Sequence, residues 1–161
     1  MTTITDEKEL EVAVYGGSFL RGGSEDSIDE GIKLGKVALE IGGVRIADSK
    51  ELFGERMVVT ASTVGLQAKG KGVLKPRNYI EAIRIIESEF RRAQWTDKFR
   101  KGGLNTVATW IQAAALGLPV VDASCEDRAH PTILMGSMVL HKVEDYVSLQ
   151  SFSVGFIEKT I

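Results

Sequence analysis

Gly102-Gly103-Leu104-Asn105, then Leu118-Pro119-Val120-Val121-Asp122, then Arg128-Ala129-His130-Pro131 are read together, because only a helix-length segment and one polar loop separate them. The order predicts loop, helix, buried strand, loop. Asn105 or Thr106 can cap the helix, Gly117 can take the left-handed position that ends it, and Pro119 blocks its continuation. Pro119-Val120-Val121 is a short apolar run of the kind found inside a sheet. Asp122 falls at the end of that strand, and in open α/β sheets ligands bind at the carboxyl ends of the strands. The loop from Asp122 to His130 (DASCEDRAH) therefore gathers two aspartates, a glutamate, the only cysteine, an arginine and one of the two histidines where a ligand would sit.

Working outward, the rest of the chain alternates between the two secondary-structure periods. Leu10 to Tyr15 reads either as the end of a lead-in helix or as a short strand, and it runs into a glycine turn at Gly16-Gly17 and Gly22-Gly23. Ser24 is an N-cap candidate for a helix over residues 25–36, whose first turns are acidic, as the helix dipole favours. Residues 37–41 and 44–47 are short apolar runs around Gly42-Gly43, which predicts a hairpin. Residues 57–61 (MVVTA) have the β-branched composition of a central strand. Pro76 suits the first turn of a helix that runs to about Ala93, with Ile80, Ile83, Ile86 and Phe90 on one stripe. A further helix covers 106–116, and Phe152, Val154 and Phe156 alternate with small residues as a half-buried antiparallel strand. The expected fold is a single α/β domain over residues 1–161: a layered domain with a mixed, mainly parallel sheet flanked by helices, with 57–61 and 119–122 as neighbours or near-neighbours.

Composition narrows the function. The chain is large enough for one proper core and has an ordinary apolar and charged content. A formal charge of −2 and a pI near 5.8 leave no basic face to neutralise phosphates, so nucleic acid is not expected as a partner. No apolar run approaches the ~20 residues of a membrane span, so no membrane partner is expected. The acidic start, MTTITDEKELE, has no leader-like apolar core, and one cysteine forms no internal disulfide. A cytoplasmic location is the expectation.

Each candidate residue has two readings. Gly22 and Gly23, before a helix, either form a structural turn or let the backbone approach a ligand; the spacing is neither a Walker motif nor a dinucleotide fingerprint. Asn105 either caps its helix or faces a ligand from the helix start. Asp122 either bonds its own strand-end backbone or acts on a substrate. Cys125 is either inert or a thiolate nucleophile activated by Arg128 and His130. Arg128, with a planar fork, suits a carboxylate or an imide-like ligand. His130, held extended by Pro131, either touches that ligand or closes the loop. Asp122, Cys125, Asp127 and His130 do not match the spacing of a known metal cluster, and no metal is expected.

These motifs, in this order, resemble the N-terminal domain of the S-methyl thiohydantoin desulfurase-like family, which occurs among hydantoin-utilisation proteins. The resemblance rests on the Gly-Gly-x-Asn turn at 102–105, the Ala-Ala-rich helix, the Leu-Pro-Val-Val-Asp strand at 118–122 and the Arg-Ala-x-Pro loop at 128–131. It extends more diffusely to the Gly16–Gly23 turn and to Val64-Gly65. It implies a small-molecule ligand, and either hydrolysis or desulfuration of a hydantoin-type ring, with no cofactor identified. In that chemistry Asp122 would be the base, Arg128 and the helix start at Asn105 the anion stabilisers, Cys125 a possible nucleophile, and Gly22, Gly23 and His130 ligand contacts. The chain departs from the family at Lys101, where an acidic residue is usual, and in the loop after Asp122, where an aspartate and two glycines are replaced. Those departures support a second expectation: a non-catalytic ligand-binding or assembly module. Family members continue into a β-rich second domain, so a homo-oligomer, or a separate chain supplying that domain, is also expected.

Overall fold

The computed structural model describes residues 1–20, 27–52, 54, 56–62, 75–90, 92–98, 102–123, 136–154 and 157–160. The chain opens with strand β1 (Thr2–Ile4) and helix α1 (Glu7–Leu20). Asp6 starts this helix: its Oδ1 accepts from the Glu9 amide at 2.8 Å, while the Glu9 carboxylate accepts from the Thr5 amide at 3.3 Å. The expected turn at Gly16-Gly17 is therefore corrected, because both glycines lie inside α1. Gly22 and Gly23 lie outside the described residues.

Helix α2 (Ile28–Ile41) starts at Ser27, whose hydroxyl accepts from the Glu30 amide at 3.1 Å, not at Ser24. It also runs through residues 37–41, so the predicted hairpin is corrected. Gly42 ends the helix by donating its amide to the Ala38 carbonyl at 3.3 Å, and Gly43 takes φ +76° on the way into strand β2 (Val44–Asp48). Strand β3 (Val58–Ala61) and helix α3 (Pro76–Glu89) follow nearly as expected, the helix ending at Phe90 and not Ala93. Strand β4 (Trp95–Lys98) leads to helices α4 (Gly103–Val107) and α5 (Trp110–Leu116) and to strand β5 (Val120–Asp122). The single helix expected over 106–116 is thus two. Gly102, at φ +151°, is the N-cap, so neither Asn105 nor Thr106 has that role. Gly117, at φ +67°, ends α5 as expected, and its carbonyl accepts from the Arg45 guanidinium.

The sheet order is β1-β2-β5-β4-β3, with β1 antiparallel and the other pairings parallel. This is the mixed, mainly parallel sheet that the alternation predicts, and β4 separates the two strands expected to be near-neighbours. On one face Leu10 and Val14 of α1, Ala38 of α2 and Trp110 and Ile111 of α5 pack on Val44 and Val120. Burying each large apolar side chain of this set contributes about 1.5–3 kcal/mol before entropy is charged against it. Val59, Ile83 and Ala93 extend that layer under α3. The opposite face gathers Ala47, Trp95 and Val121 with Leu52, Val58 and Ala123. Strands β6 (Ser151–Val154) and β7 (Ile157–Thr160) form a separate antiparallel hairpin. Here the expected alternation is reversed at its start. Ser151 Oγ donates to the Ala82 carbonyl at 2.6 Å and Asn78 Nδ2 donates to Ser153 Oγ at 2.9 Å, so the serines face α3 and Phe152 is left exposed. Among the described residues no helix is long and apolar enough to cross a membrane.

Candidate active site at the carboxyl edge of the sheet

The three helices that meet at this edge approach one another through glycines. A Cβ on Gly17 would lie 2.0 Å from Thr106 Oγ1 and 2.8 Å from the Gly102 carbonyl, and one on Gly31 would lie 2.9 Å from the Gly103 carbonyl. Helices α1 and α2 therefore close on the Gly102-Gly103 turn through bare backbone. This close approach sets α1 beside the end of β5 and leaves a cleft of about 560 Å³ between them.

Val12, Ala13, Gly16, Gly17 and Leu20 of α1 make one wall of the cleft. Thr106 and Trp110 make the facing wall, and Ile4, Ile46 and Val120 form its sheet side. Asp122 and Ala123 lie at its end, with Ser137 near them. The lining is mostly apolar with a few polar groups, as small-molecule sites are. Asp122 is exposed, so its carboxylate is not held in the core. Asp48 is its register partner on β2, but Asp48 Oδ1 accepts from the Lys50 amide at 2.8 Å and so caps the short turn after its strand. Thr106 Oγ1 is buried without a hydrogen-bond partner among the described residues. Gly17 covers that oxygen, so it lies behind the cleft wall and not on its open surface.

Of the expected site residues, Asp122 stands in the cleft. Asn105 is buried on α4 beside Thr106, and its backbone carbonyl accepts from the Ala108 amide at 3.4 Å. The adjacent Thr106, not Asn105, lines the cleft. Gly22, Gly23, Cys125, Arg128 and His130 lie outside the described residues. Among the described residues no group of three or more His, Cys, Asp or Glu is placed to hold a metal ion.

Two residues were missed from sequence. Thr106 was read only as a cap. Asp97 was not singled out at all, yet it is a buried carboxylate on central strand β4, in register with Val121. By strand alternation it lies on the face opposite the helices. Trp95-Thr96-Asp97-Lys98 has neither an apolar run nor clean alternation, so nothing local marked it as a strand.

Residues 8–152 match the family described as S-Me-THD-like, N-terminal domain. The chain belongs to this family. Its fold is also that of a protein from Chromobacterium violaceum known from an X-ray crystal structure, with a TM-score of 0.70 and 19% identity. That match covers 100% of this chain and 44% of the other, so the S-Me-THD-like chain spans less than half the length of this structural relative. No curated protein matches the chain.

Proposed function

We propose that the S-Me-THD-like cleft binds a small five-membered hydantoin-type ring and that Asp122 promotes attack of water on it. The reading is supported most by one observation: Asp122, at the carboxyl end of β5, lies at the end of an apolar-walled cleft of about 560 Å³. For an S-methyl thiohydantoin the chemistry balances simply. Water oxygen bonds to the ring carbon that carries sulfur, and Asp122 accepts a proton from that water. The carbon–sulfur bond then breaks with its electron pair on sulfur, methanethiol leaves with the proton from Asp122, and the water's second proton moves to the ring nitrogen as the ring becomes a hydantoin. The apolar walls give the ring faces to pack against while its polar edge meets Asp122.

The experiment is a thiol-release assay on the protein with S-methyl thiohydantoin. General-base loss is worth roughly 10²–10⁴-fold, so Asp122→Asn should reduce release by at least that lower factor. Release that is unchanged in Asp122→Asn would overturn the catalytic role. The altered loop after Asp122 supports a second reading, a binding module without turnover. That reading predicts a thermal shift with the ring and no thiol release.

A further inference from the structure

We propose that the protein pairs as a symmetric dimer through α1, the two helices crossing antiparallel near Gly16, so that the second copy closes the outer side of the cleft. The evidence is the solvent face of α1. Val12 is 73% exposed, Tyr15 54%, Phe19 85% and Leu20 60%; residues 12, 15 and 19, spaced by three and four, make one stripe, with Leu20 widening it beside Phe19. Leu10, Val14 and Gly17 on the other side of the helix are buried. Single exposed apolar residues are ordinary, but a contiguous stripe is not. No charged side chain occurs between Val12 and Leu20, where a solvated helix would carry several.

A second copy is the occupant that fits. With aromatic side chains of about 150–250 Å² each, the four residues present roughly 500 Å². Two copies together then reach about 1,000 Å², the lower bound for a specific interface. The stripe is also self-complementary. A Cβ at Gly16 would meet nothing within 4 Å, which leaves a dent among the bulky residues that a partner's side chain can enter. Charge fixes the direction. Glu7, Glu9 and Glu11 sit at one end of α1, and a parallel pair would set these acids side by side. Antiparallel crossing at Gly16 places the two Glu11 residues about 15 Å apart along the axis. That exceeds the ~8 Å Debye length of physiological salt. Val12, Gly16 and Leu20 also line the cleft, so the face covered by the partner is continuous with the site.

Sedimentation of the full chain at rising micromolar concentration tests the pairing. The expected result is a shift from 17.5 kDa towards twice that mass. Phe19→Asp should return it to the smaller species with its helical circular dichroism intact. Val147→Asp, at a residue 84% exposed and outside α1, should leave the dimer in place. If Phe19→Asp lowers the helical signal, Tyr15→Ser gives the same reading with a milder change. Hydrogen exchange tests the shared wall: α1 and the Asp122–Ala123 edge should exchange more slowly in the dimer than in the Phe19→Asp protein. A concentration-independent 17.5 kDa species, or a dimer that survives both α1 substitutions, would overturn the pairing. Equal exchange at the Asp122–Ala123 edge in the two proteins would overturn the closure of the cleft.

Discussion

Gly16 and Gly17 are adjacent in sequence and opposite in what they do. A methyl at Gly17 collides with Thr106 Oγ1 and the Gly102 carbonyl, whereas one at Gly16 enters open space. Gly17→Ala should therefore cost about 1–3 kcal/mol, as overpacking does. In the monomeric Phe19→Asp background, where that space stays open, Gly16→Ala should hold or gain up to about 1 kcal/mol from helix propensity. Denaturant unfolding of the two variants at one protein concentration checks the contrast. Tyr79 gives a pH-dependent counterpart. Burial, with the Glu30 charge adding to it, pushes its phenol up to about 12. An unfolded tyrosine ionises near 10, so above that pH the unfolded chain releases a proton that the folded chain still holds. Stability present below about pH 10 should fall as pH rises towards about 12, and Tyr79→Phe should flatten that fall in a denaturation series.

At the scale of elements, α3 illustrates how one side chain serves two contacts. Asn78 accepts from the Lys75 amide at 2.9 Å at the helix start and donates to Ser153 of the β6–β7 hairpin at 2.9 Å. Asn78→Ala should destabilise the protein by about 1–3 kcal/mol, since it removes both hydrogen bonds of a buried side chain, one to the Lys75 amide and one to Ser153. The hairpin amides should lose exchange protection before those of β4 and β5. The parts of the fold that could be read from sequence were those with an uninterrupted signal: Pro76 opening α3, Gly117 closing α5, and the apolar runs of β3 and β5. The parts that misled share a physical cause. Helices α1 and α2 use Gly17, Gly31 and Gly35 where an apolar stripe would show, because backbone packs there against backbone or Leu10. Gly16-Gly17 of α1 therefore read as a turn, and Gly42-Gly43, a helix end, read as a hairpin. Strand β4 was hidden by Thr96 and Asp97, polar residues that only tertiary burial places in a sheet. In the site, Asp122 was legible because a strand-end position is a local property. Thr106 was not, because its place in the cleft wall depends on α1 arriving with a glycine.

At the scale of the molecule, these glycine contacts and the parallel core strands leave one consequence: a cleft where α1, α4, α5 and the end of β5 meet. The central claim is that this cleft receives the five-membered ring. A ¹⁵N-labelled amide titration with S-methyl thiohydantoin tests it most directly, because it reports on position whether or not turnover follows. The account predicts saturable shifts at Gly16, Gly17, Thr106, Ala123 and the Trp110 indole, with α3 and the β6–β7 hairpin unmoved. No saturable shift at millimolar ring, or shifts confined to residues outside the cleft, would contradict it.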